Sequence, residues 1–253
     1  MRTILLVLFT FMNSTLAFDH THKLFNDLLG RNCIHNEFST QVRYENIKNN
    51  ESKNLDRYLK EMSQVTKDEY NTFNRDQRLS FLINAYNAFT LKLIIDNYPV
   101  KSIKEIGGLF SSPWKKKFIF LLGEKIDLDT IEHLLIRKAF NEPRIHFVLV
   151  CAAKGCPPLN PVALTAENLE FYLTKSTRNF LKDEQKNYYN YKRKRLTLSP
   201  IFEWYKEDFE KDGVDLVDWL IPYLEDLKLI EALKREDIEI RYSVYDWSLN
   251  DVN

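Results

Sequence analysis

The 253-residue chain carries 36 Lys and Arg against 36 Asp and Glu, so its formal net charge is zero. That balance removes any electrostatic reason to expect nucleic acid or an anionic membrane surface as a partner. A hydrophobic fraction of 44% with 28% charged residues excludes a disordered chain and predicts one folded domain with a sizeable core.

The chain starts with the pattern of a secretory signal peptide over residues 1–17. Arg2 is basic, residues 4–12 are apolar, and Thr15-Leu16-Ala17 has the small-x-small form of a cleavage site. The apolar run is about half of the ~20 residues that a spanning helix needs. The expectation is an exported protein, periplasmic or secreted, with no membrane span once the leader is removed. An oxidising compartment permits disulfides. With three cysteines, at least one is left unpaired.

Residues 18–75 read as an N-terminal helical extension. A mixed segment containing His20, His22, Cys33 and His35 leads into an amphipathic helix over 51–62 and a short helical turn over 66–73. Residues 76–97 are the strongest helix. Phe81, Leu82, Ala85, Ala88, Phe89 and Leu93 make a face so broad that the helix must be buried, and Pro99 closes it. Asn84 and Asn87 interrupt the apolar run on one side. A buried amide needs partners, so the two either clamp a neighbouring loop or line a site.

Farther on, a helical turn over 102–106 ends at Gly107-Gly108, and a β-hairpin follows over 118–128 with Gly123-Glu124 at its turn. Asp129 and Glu132 have the spacing of a capping box opening a helix over 130–139, which carries His133 and Arg137 on one side. Residues 145–150 read as a β-branched and aromatic strand. Thr165 is the expected N-cap of a helix through Leu181. Residues 182–195 form a loop or hairpin arm, 195–198 and 238–242 read as strands, and the helices between them start at Ser199-Pro200.

The chemistry concentrates between Arg144 and Leu159, which hold Cys151, Cys156 and His146. On a strand, His146 and Cys151 would face opposite sides. Gly155 permits a sharp turn and Pro157-Pro158 stiffens its exit, so Cys156 is presented from a turn. Three readings stand side by side. Cys151 or Cys156 is a nucleophile, with His133 or His146 as its base and Asn84, Asn87 or Arg137 positioning the substrate. The cysteines and histidines bind a metal, although neither spacing is a usual zinc pattern. Or two cysteines pair, Cys151 with Cys156 or one of them with Cys33, and the histidines are core hydrogen-bonders. No phosphate-cradling glycine loop or dinucleotide fingerprint is present, so no nucleotide cofactor is expected; the ligand spacing gives no metal to expect.

Four stretches carry a resemblance: Phe81-Leu-Ile-Asn-Ala-Tyr-Asn-Ala88, Ile131-Glu-His-Leu-Leu-Ile-Arg137, Arg144 through Pro157, and Tyr245-Asp-Trp-Ser-Leu-Asn250. Together they resemble the domain-of-unknown-function 547 family over residues 76–250. The resemblance places Asn84, Tyr86, Asn87, His133, Arg137, His146, Cys151, Gly155, Cys156 and Pro157 at the family's hallmark positions. Leu82 stands where the family often has Trp, and Ala153 where Ser is common, which tells against a mechanism needing that hydroxyl. Members are often exported bacterial proteins, and the family name assigns no activity.

The fold expected is α+β, predominantly helical, with a small, mainly antiparallel sheet packed on a long buried helix. The function expected is a thiol-dependent hydrolase or transferase acting on an amide or ester. Cys156 would be its nucleophile, His133 its base, and Cys151 and His146 the further catalytic candidates. Asn84, Tyr86, Asn87 and Arg137 would bind the substrate. The alternative is a non-catalytic extracytoplasmic module that binds a small molecule or peptide, its Cys/His/Asn cluster being structural.

Overall fold

Asn74 and Gln77 start the long helix Arg75–Asn97 by a reciprocal capping box, each side chain accepting from the other's backbone N–H. The computed structural model describes residues 17–107 and 111–252. The expected signal peptide falls on residues 1–17, of which 1–16 lie outside the described residues. Residues 79–91 of the long helix are buried without interruption. The helix is therefore the axis of the core, as a sequence apolar on all sides requires.

Ser52–Gln64 and the π-helical segment Thr130–Ile136 pack against this helix, and Lys23–Asn32 packs on Ser52–Gln64. One core cluster includes Phe25, Tyr44, Leu55, Phe81, Ile131 and Leu169, so residues 18–75 help bury the long helix. A second cluster gathers Phe180, Phe202, Phe209, Leu220 and Leu233 around Phe147. The fully buried Phe147 thus plants the chain segment that precedes both cysteines of the turn in the second core.

The protein is α+β and predominantly helical, and its strands are divided among three small sheets. Cys33–His35 pairs with Thr40–Val42, and Ile119–Leu121 with Glu124–Ile126, both antiparallel. The third sheet orders Tyr188–Asn190, Arg195–Leu198 and Glu239–Tyr242. Its second pairing is parallel, which needs the helical crossover between residues 201 and 234. The 119–126 hairpin turns at Leu122 and Gly123, with φ of 53° and 82°. Two successive left-handed residues give the turn whose twist matches that of the strands.

Three expectations need correction. The strand at 145–150 is absent. Pro143 opens a 3-10 turn, Pro143–Phe147, and the Glu142 side chain accepts from the Arg144 N–H at 3.3 Å. Beyond it the backbone of Val148 and Val150 bonds to a side chain, Asn87, instead of a strand. The β-branched composition there reflects burial, and the alternation that set His146 and Cys151 on opposite faces falls with the strand. Asp129 and Glu132 form no capping box: Asp127 Oδ1 accepts from Thr130 N at 2.8 Å and from Thr130 Oγ1 at 2.6 Å, while Glu132 turns inward. The helix expected from Thr165 runs instead over Leu169–Lys182. Among the described residues, no helix is long and apolar enough to cross a membrane.

Candidate functional site

Two asparagines on one side of the long helix hold the loops that build the site. Asn87 Nδ2 donates to Val148 O at 2.9 Å, and its Oδ1 accepts from Val150 N at 2.9 Å. Asn84 makes the same double bond one turn earlier, donating to Leu164 O at 2.7 Å and accepting from Leu164 N at 3.0 Å. Each amide mimics a strand partner for an irregular segment whose buried backbone would otherwise lack one. The loop clamp is the role the geometry gives them, in place of the substrate contact, and neither lines the cavity described below.

After Val150 the chain turns through Cys151–Cys156. The left-handed residue of the turn is Ala152, with φ of 61°, and not Gly155. Gly155 serves close approach instead: its N–H donates to Asp246 O at 2.8 Å, and a Cβ there would lie 3.0 Å from the Asp246 backbone. Lys154 N donates to Ser248 O at 2.8 Å and Asn250 N to Ala152 O at 3.1 Å. The closing segment 246–250 is thus strapped across the turn, which fixes where both sulfurs stand.

Cys151 and Cys156 form a disulfide, with Cα atoms 6.3 Å apart. Of the two alternatives for Cys33, the structure leaves it a free, buried thiol, which burial pushes up to about 12. The Tyr245 hydroxyl donates to Cys156 Sγ at 3.1 Å and lies 3.2 Å from Cys151 Sγ. Cys151 N also donates to Cys156 Sγ at 3.0 Å. Cys156 is accordingly the sulfur with two donors.

The disulfide walls a cavity of about 220 Å³. His146, His133, Glu132 and Asp129 supply its titratable groups, and Tyr86, Trp114, Trp204, Tyr205, Tyr245 and Trp247 its aromatic walls. The walls draw on both hydrophobic clusters, so the cavity lies at their seam. His146 Nε2 is 2.7 Å from Asp208 Oδ2, and its ring stacks on Tyr205 with centroids 3.8 Å apart. Asp208 also accepts both Arg137 Nε at 2.6 Å and Arg137 Nη2 at 3.0 Å. Arg137 Nη1 is 2.8 Å from His133 Nδ1. A guanidinium can only donate and a carboxylate can only accept. Nδ1 of His133 therefore accepts and its ring proton sits on Nε2. His146 donates from Nε2, which leaves its Nδ1 as the basic nitrogen in the neutral ring.

The electrostatics follow from these contacts. Burial alone would raise the Asp208 carboxyl, but the bonds from His146 and Arg137 outweigh it and hold it at about 2. Burial lowers His146 below the ordinary imidazole value, against the pull of Asp208. Burial first, and the Glu132 charge second, hold the Tyr86, Tyr205 and Tyr245 hydroxyls above the ordinary phenol range. All three remain protonated donors at neutral pH. Among the described residues, no three His, Cys, Asp or Glu side chains converge as a metal centre would need.

Of the residues singled out from sequence, Cys151, Cys156, His133, His146 and Tyr86 share the cavity, while Arg137 stands behind it as a link. Asp208, Glu132, Tyr205 and Tyr245 carry much of the site, and the sequence reading gave none of them such a role. Asp208 is 62 residues from His146, with no local pattern to mark it. Glu132 had been assigned to a cap. Tyr245 could have been suspected, since it opens one of the stretches carrying the family resemblance.

One cavity thus brings together a disulfide-bonded turn and an imidazole held by a carboxylate. Residues 70–181 match the family described as Protein of unknown function, DUF547. The matched segment contains both cysteines, both site histidines and Glu132, whereas Asp208, Tyr205 and Tyr245 come from beyond it. Neither a curated protein nor a solved structure matches the chain.

Proposed function

We propose that the cavity carries out thiol-dependent acyl transfer on an amide or ester, and that the Cys151–Cys156 disulfide is its closed resting form. The observation that carries this reading is that His146, held from behind by Asp208, lines the same cavity as both sulfurs. A carboxylate that fixes the imidazole tautomer beside a sulfur nucleophile is the arrangement nucleophilic catalysis needs. His146 takes the base role expected of His133, because Arg137 occupies His133 Nδ1.

A dithiol reductant opens the site. Its thiolate attacks Cys151 Sγ, the S–S bond breaks, and Cys156 leaves as the thiolate. The second thiol of the reductant then releases Cys151 as a thiol and ends as the oxidised disulfide. The Tyr245 O–H and Cys151 N–H donors favour the Cys156 thiolate. That thiolate adds to the acyl carbon, the leaving group departs with a proton that His146 Nδ1 takes up from water and passes on, and a thioester remains. Water, deprotonated by His146, hydrolyses it, or an amine or alcohol takes the acyl group. The test is Cys151→Ser, which removes the disulfide and keeps the nucleophile. It should turn over activated esters and thioesters without reductant, whereas wild type needs a dithiol and Cys156→Ser is inactive under both conditions. An inactive but folded Cys151→Ser protein counts against the reading.

A second reading has its own support. The disulfide and the two asparagine clamps are what a purely structural cluster in a binding module would contain. Under it, Cys156→Ser lowers the melting temperature and leaves ligand binding intact. We propose, too, that the protein works outside the cytoplasm, periplasmic or secreted. The support is the basic, apolar, small-residue pattern of residues 1–17, together with the disulfide. N-terminal sequencing of the mature protein should begin at Phe18.

A further inference from the structure

Glu132 lines the cavity and is only 5% exposed. Among the described residues no Lys, Arg or His forms an ion pair with it, since the nearby cation Arg137 is taken by Asp208. A buried carboxylate without a counter-ion is costly. Here its neighbours are the neutral hydroxyls of Tyr86 and Tyr205. Asp129 adds a second acid to the lining, and neither Lys nor Arg is part of it.

Much of the remaining lining is aromatic. Trp204 and Trp247 stack with centroids 5.8 Å apart, Tyr245 lies 4.6 Å from Trp247, and Trp114 meets Trp247 edge-on at 5.9 Å. Ring faces carry partial negative charge and attract cations. Trp247 already holds one cation in this way, Lys104 Nζ at 3.7 Å from its centroid, which leaves Trp204 and Tyr245 for another. The cavity, about 220 Å³, is smaller than the ~300–1,000 Å³ typical of drug-sized ligands. It suits a headgroup.

We infer that this cavity seats an organic ammonium group against Trp204 and Tyr245, with Glu132 as its counter-ion. The inference rests on the acyl-transfer reading for its chemistry and narrows the substrate to an amide or ester bearing a cationic amine near the acyl group. An anionic substituent in the same place would face Glu132 and Asp129.

The test uses the unreduced full-length protein, so thiol chemistry plays no part in it. Choline and its uncharged isostere 3,3-dimethylbutan-1-ol are titrated by calorimetry and by tryptophan fluorescence. Choline should bind saturably and about tenfold more tightly than the alcohol, a difference of ~1.4 kcal/mol. Glu132→Gln should weaken choline about tenfold and leave the alcohol unchanged. Equal affinities, or no saturable choline binding to wild type, overturn the inference without needing the variant to fold. Choline binding in a protein whose reduced thiols are inert would sink the enzymatic reading alone. Turnover of uncharged esters without choline binding would sink the ammonium inference alone.

Discussion

Asp208 holds an arginine and a histidine with one carboxylate, and its contacts set the site's acid-base behaviour. It raises the His146 affinity for protons, while burial lowers it by more. Under the proposed acyl transfer, the acid limb of the reduced protein's pH–rate profile should therefore fall below pH 6.5, the ordinary histidine value. Asp208→Asn should move that limb lower still, because the charge that favours the imidazolium is gone. It should also cost about 2 kcal/mol of stability, between the values for exposed and buried ion pairs. A limb that stays put in the variant would show that His146 is not the titrating base. The histidines and cysteines of this site were legible in sequence as chemistry-bearing residues in one region. Asp208 was not, because only the folded second core brings residue 208 to residue 146.

At the scale of elements, the asparagine clamps stand in for a strand. Asn87→Ala leaves the Val148 carbonyl and the Val150 N–H without their partner, and Asn84→Ala does the same to Leu164. At ~1–3 kcal/mol for each buried group left unsatisfied, each variant should lose about 2–6 kcal/mol in urea unfolding. The long helix, the 119–126 hairpin, the 188–198 arm and the closing strand were readable from period and turn residues. The segment 145–150 was misread because a buried irregular chain selects the same Val, Leu and Ile as a buried strand. What separates them is the partner, and the partner here is a side chain on another helix. Likewise the Asp127 cap competes with Asp129 for one helix start, and only the direction of Glu132 into the cavity decides between them.

For the whole molecule, stability should be tied to pH through buried imidazoles. Burial pushes His22 down to about 3 and lowers His20, His35 and His146 as well. A histidine depressed in the folded state is neutral there and takes up its proton on unfolding. Its stabilisation is present above pH 6.5 and is lost as the pH falls from there toward the folded value. Melting temperature should accordingly decline steadily between pH 6.5 and 4. His22, 2% exposed and bonded to Tyr58 at 2.7 Å, should contribute most of the slope. His22→Gln should flatten it. A melting temperature constant over that range would mean that the N-terminal segment does not stay packed on the Phe73 and Phe81 rings as described. The same packing joins residues 18–75 to the core that carries the site, so loss of the one should loosen the other.

The central claim is that Cys151 and Cys156 are a paired resting form of a thiol site whose nucleophile is Cys156. Alkylation of the native protein, before and after a dithiol, with the labelled cysteines mapped by mass spectrometry, tests it most directly. The expected result is no label on Cys151 or Cys156 before reduction and rapid label on Cys156 after it. Cys33, buried and pushed up to about 12, should react only on denaturation. Free labelling of both turn cysteines without reductant would contradict the claim, and so would a reduced Cys156 that reacts no faster than Cys33.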